Sequence, residues 1–201
     1  MAKRRGGQAW RIPDRRLSRR RWLAGAAGMA AWALAPSAGR AAWVLETPSQ
    51  PAGPYYAPFR PLSIDNDLVF IPGGDGPAKG TLLHLSGRVL DQWGRPIPEA
   101  RVEIWQANSH GRYNHPRHAD SRIPLDPNFQ GFGHDATDGD GSYSFRTVKP
   151  GPYADNPGWT RPPHIHFAVF PPKGPTWTTQ MYFAGEALND DDFLLNGISD
   201  G

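Results

Sequence analysis

Leu83-His84-Leu85-Ser86-Gly87-Arg88-Val89, then Asp91-Gln92-Trp93-Gly94-Arg95-Pro96, then Ala100-Arg101-Val102-Glu103-Ile104-Trp105 decide the fold. The two outer runs alternate with period 2, which in an extended strand places the apolar set on one face. The middle run, with its Gly and Pro, supplies the turn between them. The same pattern continues downstream. Asp138-Gly139-Asp140-Gly141 is a second turn leading into Tyr143-Ser144-Phe145, His164 to Phe170 is a further strand, and Gln180 to Phe183 another. No stretch sustains an amphipathic helix beyond a turn or two. The expectation is an all-β fold, a single β-sandwich domain with long irregular loops over residues 81–201. Alone, the unit from Gly87 to Trp105 reads as scaffold, because such strand–turn–strand units recur in many exported modules.

Ahead of the sandwich, residues 43–80 read as a Pro/Gly-rich arm (Pro48, Pro51, Pro54, Pro58, Pro61, Pro72, Gly73, Gly74) with one apolar stretch at Leu68–Ile71. Residues 1–42 read as a twin-arginine-type signal peptide. Ser18-Arg19-Arg20-Arg21-Trp22-Leu23 opens an apolar run, Ala24 to Ala35, too short and Gly-rich for a good membrane span. Small residues from Ser37 to Ala42 offer a cleavage zone. The expected location is therefore periplasmic or extracellular, with no stable membrane insertion after cleavage. A basic DNA-binding arm is the competing reading, and the apolar run directly after the arginines opposes it.

Removing that segment reverses the charge. The chain carries 22 Lys+Arg and 19 Asp+Glu, a net of +3. Ten of the basic residues and one acid, Asp14, lie within residues 1–42, which leaves 12 basic against 18 acidic residues, a net of −6. A mildly acidic mature domain gives no footing for nucleic acid. There is no cysteine, which excludes a disulfide scaffold, Cys-ligated zinc and iron–sulfur clusters.

Arg161-Pro162-Pro163-His164-Ile165-His166 carries the clearest chemistry. Residues i and i+2 of a strand share a face, so both imidazoles can reach one metal. A His-x-His pair serves zinc and copper as well as iron. Tyr113 and Tyr153 sit in Gly/Pro-flanked loops past strand ends. Either one alone reads as a packed tyrosine with a hydrogen-bonded hydroxyl. Two phenolates with two imidazoles would suit a hard, oxidising cation such as Fe(III), which must itself drive off phenol protons whose ordinary pKa is about 10.

These residues stand in a longer series. Trp105-Gln106-Ala107-Asn108 precedes Gly111-Arg112-Tyr113. Pro124-Leu125-Asp126-Pro127-Asn128-Phe129, Thr137-Asp138 and Tyr143-Ser144-Phe145-Arg146-Thr147 follow. Lys149-Pro150-Gly151-Pro152-Tyr153, the His164/His166 stretch and Thr179-Gln180-Met181-Tyr182-Phe183 complete it. The series, from about Leu85 to Phe183, resembles the intradiol ring-cleavage dioxygenases, and among them the branch of protocatechuate 3,4-dioxygenase β chains. The resemblance implies a non-haem Fe(III) cofactor with Tyr113 and His164 as equatorial ligands, Tyr153 and His166 as axial ones, and hydroxide as the fifth. It implies a catechol substrate that binds as a chelating dianion, displaces the axial tyrosinate Tyr153 and reacts with O2 to give a cis,cis-muconate-type product. Arg161 would steady charge developing on the ring, with Gln180 as its polar neighbour. Copies of the chain could associate into a homo-oligomer, as β-chain relatives do.

This sequence departs from that pattern in three ways. The interval from Tyr153 to His164 is 11 residues, shorter by two than in the β chains. Asp155 stands where a Trp is usual, with Trp159 nearby, and Pro163 stands where Ala is usual. The family also continues past the position of Gly201 into at least one more strand, so the acidic ending reads as a shortened variant or a truncation. Two other functions compete: a non-catalytic exported β-sandwich binding module, and a copper or zinc site at the His pair.

Overall fold

In chain order the strands are β1 (Leu82–Arg88), β2 (Arg101–Trp105), β3 (Phe132–Ala136), β4 (Ser142–Val148), β5 (Tyr153–Asn156), β6 (Trp159–Arg161), β7 (His164–Phe170) and β8 (Trp177–Tyr182), followed by a short helix, α1 (Phe193–Asn196). The computed structural model describes residues 45–56, 65–156 and 158–198. The export signal expected over residues 1–42 lies outside them. Among the described residues no helix is long and apolar enough to cross a membrane.

The all-β expectation holds, and the strands form two packed layers. Antiparallel β3-β2-β7-β8 make one sheet, and β1 pairs antiparallel with β4 to make the other. β2 is paired on both sides, Trp105 facing Phe132 on β3 and His166 on β7. Its residues after Arg101 are all buried, as a central strand between two covered faces requires. Val102, Ile104 and Ile165 from the larger sheet meet Phe145 and Val148 from the smaller one in a common core. Each of these side chains contributes roughly 1.5–3 kcal/mol by leaving water.

Three features differ from the sequence expectation. The last strand of the larger sheet runs from Trp177 to Tyr182, beginning earlier and ending before Phe183. β3 was not foreseen, nor was the β5/β6 ribbon, which carries a bulge between Ala154 and Asn156. The Pro/Gly-rich arm also enters the structure closely. Leu68 is wholly buried in the core, seated at Gly133, where a Cβ would come within 2.6 Å of its Cδ1. Nearer the start, Gln50 N–H donates to the Thr178 carbonyl at 2.9 Å, and the Trp177 and Thr179 side chains donate to the carbonyls of Thr47 and Pro48. Tyr56 donates its hydroxyl to Glu103 on β2 at 2.6 Å.

Candidate active site

β7 sets the geometry. His164 and His166 share one face, both almost fully buried. On the neighbouring β8, register places Tyr182 opposite His164 and Gln180 opposite His166. Period 2 thus brings four polar side chains to one patch of sheet.

Tyr113 arrives from the loop after β2, whereas Tyr153, expected in a loop, is the first residue of β5 and pairs with Arg161. One asparagine ties the two approaches together. Asn108, three residues past the end of β2, accepts from the backbone N–H groups of His110 and Arg112 through Oδ1, and its own carbonyl accepts from Gly111 and Gly151. Gly111 has φ +87°, and a Cβ there would lie 2.1 Å from the Pro152 carbonyl oxygen. Only glycine lets the two loops approach this closely. The Tyr113 N–H donates to His118 Nδ1 at 3.1 Å.

The four predicted ligands form a closed circuit of rings. Centroid separations are 5.2 Å from Tyr113 to Tyr153, 5.5 Å on to His164, 4.9 Å to His166 and 6.4 Å back to Tyr113. His166 is also stacked on Trp105, 5° from parallel. His164 Nδ1 lies 2.7 Å from the Pro162 carbonyl, which accepts its proton. That contact selects the tautomer whose Nε2 lone pair is available to a metal.

Burial keeps the set neutral. It raises the Tyr113 phenol well above its ordinary range, with the adjacent Tyr153 phenol adding to the effect. Burial likewise raises Tyr153, against the opposing pull of Arg161. His164 falls to about 4 through burial and the nearby Arg161 cation. His166 is lowered well below its usual value by burial, then by His164 and Arg161. His166 Nδ1 is buried without a hydrogen-bond partner, a condition that folded proteins normally avoid, and the buried Tyr113 Oη has only the Tyr153 phenol beside it. A cation among the rings would give the Tyr113 oxygen a partner. Among the described residues no three His, Cys, Asp or Glu side chains gather as a metal site, so a metal held here would need the phenolates. Two imidazoles and two phenol oxygens fit trivalent iron.

Arg161 is 3% exposed. It donates through Nη2 to Gln180 Oε1 and to Tyr182 Oη, both at 3.0 Å, and its Nη1 stands 3.4 Å from His164 Nε2. Gln180 in turn donates to the Pro51 carbonyl of the arm. Trp159 lies under the guanidinium, 5.4 Å from its carbon. The neighbouring Arg112 spends its guanidinium on the loop carbonyls of Ala119, Ser121 and Ile123.

Sequence reasoning missed three members of this neighbourhood. Tyr55, from the arm, stacks on both Tyr113 and His118. His118 had no signal beyond its residue type. Asp192, wholly buried, pairs with Arg161 at 2.8 Å, although the acidic ending that contains it had drawn notice only for its composition.

Comparison with known proteins agrees with this architecture. The model of the Dioxygenase_C family, described as Dioxygenase, matches residues 52–199. The protocatechuate 3,4-dioxygenase β chain of Burkholderia cepacia is 42% identical over 137 residues, 67% of this chain and 58% of that one. Catechol 1,2-dioxygenase of Acinetobacter baylyi is 33% identical over 165 residues, 73% of this chain and 49% of that one. Among solved structures, the dioxygenase domain of a dioxygenase–carbohydrate-binding protein fusion from Streptomyces sp. SirexAA-E is similar at a TM-score of 0.56 and 34% identity, with 74% of this chain and 82% of that one covered. Catechol 1,2-dioxygenase from Pseudomonas arvilla C-1 is similar at a TM-score of 0.59 and 30% identity, over 74% of this chain and 49% of that one. The chain thus spans about half the length of most of the curated relatives it matches. With a matching family model over most of its length and these relatives, the chain belongs to the intradiol ring-cleavage dioxygenases.

Proposed function

We propose that this chain is an exported, Fe(III)-dependent intradiol dioxygenase that cleaves a catechol-type aromatic with O2 to a cis,cis-muconate-type product. The observation that carries this reading is the ring circuit of Tyr113, Tyr153, His164 and His166, with the Tyr113 oxygen buried beside the Tyr153 phenol. Trivalent iron, when bound, draws electron density out of a chelated catecholate and so opens the ring to O2. Both oxygen atoms enter the product, so the reaction balances with no other oxidant.

The protein's own groups divide the remaining work. With iron bound, Tyr153 would be the ligand able to give way to substrate, and its Oη would be the group that takes up the proton of one catechol hydroxyl. Burial, which favours the neutral phenol, assists that uptake. Tyr113 and the two histidines stay in place, held by Asn108, Trp105 and the Pro162 carbonyl. Arg161 presents a permanent, planar cation to charge gathering on the substrate in a site shielded from water. Gln180 accepts from Arg161 and keeps it beside the ring. The reading includes export of the domain by way of residues 1–42.

Colour and oxygen uptake test the proposal together. Iron-loaded protein should be burgundy through tyrosinate-to-iron charge transfer and should consume O2 with catechols, giving muconate-type spectra. A colourless iron-loaded protein would sink the assignment. Extradiol products, or activity with copper or zinc alone, would replace it with another chemistry.

A further inference from the structure

Asp192 belongs to none of the four rings, yet it is wholly buried and set directly against Arg161. Its oxygens divide their contacts. Oδ2 accepts from Arg161 Nε at 2.8 Å, and Oδ1 accepts from Nη2 at 3.4 Å. Oδ1 also accepts from the Leu195 N–H at 2.8 Å and so caps α1. The carboxylate therefore grips the Nε–Nη2 edge of the guanidinium. Gln180 and Tyr182 also engage Nη2. Nη1 is left on the side of His164 Nε2. A guanidinium is planar, so fixing one edge fixes where the remaining nitrogen points.

The turn that carries Asp192 is itself secured. Phe193 stacks on Trp159, centroids 3.8 Å apart, and Glu186 pairs with Lys149. Gln50, on the arm, donates to the Leu194 carbonyl at 2.9 Å. With these contacts in place, a buried ion pair is not needed to hold the turn, and buried ion pairs are poor stabilisers against apolar replacements. Orientation is what this one adds.

We propose that Asp192 is a positioning residue that acts through Arg161, holding the guanidinium so that Nη1 stays beside His164 Nε2 and the cation keeps one orientation toward the site. The proposal rests on the dioxygenase reading above.

A double-mutant cycle tests it on the full chain: wild type, Asp192→Asn, Arg161→Gln and the two combined. Asparagine caps helices as well as aspartate does, so Asp192→Asn keeps the cap and the shape while deleting the charge. Its kcat per bound iron should fall roughly 10- to 100-fold, as misplacing a catalytic group does, with the tyrosinate band unmoved. The combined variant should fall no further than Arg161→Gln. A second readout uses metal-free protein: the ¹⁵N–H signal of Arg161 Nε should exchange slowly in wild type and merge with those of exposed arginines in Asp192→Asn. Additive losses of kcat, or an Arg161 signal unchanged by Asp192→Asn, overturn the proposal. If Asp192→Asn fails to fold, Arg161→Gln against the combined, charge-neutral variant carries the same comparison, and a further loss in the latter overturns it. No O2 uptake by iron-loaded wild type would sink the dioxygenase reading instead, and the Nε signal would still decide whether Asp192 orients Arg161.

Discussion

Tyr55 lies flat on Tyr113, ring centroids 4.4 Å apart and planes 19° from parallel, and turns an edge toward Tyr153 at 5.8 Å. A residue of the arm is thus packed on both tyrosines proposed as ligands. An aromatic pair contributes about 0.5–1.5 kcal/mol beyond its area. Tyr55→Ala should therefore cost roughly 1–2 kcal/mol in urea unfolding and weaken iron binding, read by titration of the charge-transfer band. Unchanged iron affinity would show that Tyr55 packs without supporting the site.

Tyr113→Phe separates stability from function. The hydroxyl is buried with only the Tyr153 phenol beside it, so removing it should change the stability of the metal-free protein by no more than about 1 kcal/mol. The same change should bleach the iron band and abolish O2 uptake. An unchanged spectrum would exclude Tyr113 as a ligand.

Gly111→Ala attacks the approach of the two tyrosine loops. The positive φ alone costs roughly 1–3 kcal/mol for a residue with a Cβ, and the new methyl would collide with the Pro152 carbonyl. The expected outcome is a lower melting temperature with near-native circular dichroism and reduced iron stoichiometry by elemental analysis. Full iron loading would mean that the loops tolerate separation.

Acid should destabilise the metal-free protein before its carboxylates titrate. His164 is lowered to about 4 in the folded chain, whereas an unfolded histidine titrates near 6.5. Between those values the unfolded state holds more protons, so stability falls as pH falls. His164 alone should remove roughly 3 kcal/mol across that window, and His166 acts in the same direction. Urea midpoints from pH 7 to pH 4 check this, and His164→Gln should flatten the slope.

The sequence made some of this legible and hid the rest for identifiable reasons. β7 and β2 announce themselves because their apolar residues alternate or run on without interruption, and His-x-His on a strand shares a face by geometry. β3 does not. Phe132-Gly133-His134-Asp135-Ala136 has one strong strand former, and its conformation comes from pairing with β2 and from Leu68 seated at Gly133. The arm looked external because prolines break its pattern, yet Leu68 finds a core position that only tertiary packing defines. Tyr113, Tyr153, Arg161 and Gln180 stand out in the sequence because each sits in a local motif. Asp192 and Tyr55 sit in none. Asp192 meets Arg161 across 31 residues of chain, a separation that no local pattern encodes.

β8 ends the four-stranded sheet, and a bare strand there would offer its unpaired amides and carbonyls to any other extended chain. Thr47, Pro48, Gln50 and Pro51 occupy that flank with hydrogen bonds to Trp177, Thr178, Thr179 and Gln180. Two residues of this covering segment, Pro48 and Pro51, are prolines, which have no N–H with which to recruit a further strand. The segment that binds Gln180 therefore also lies along the sheet's open edge, and loosening it would bare that edge together with the setting of Arg161.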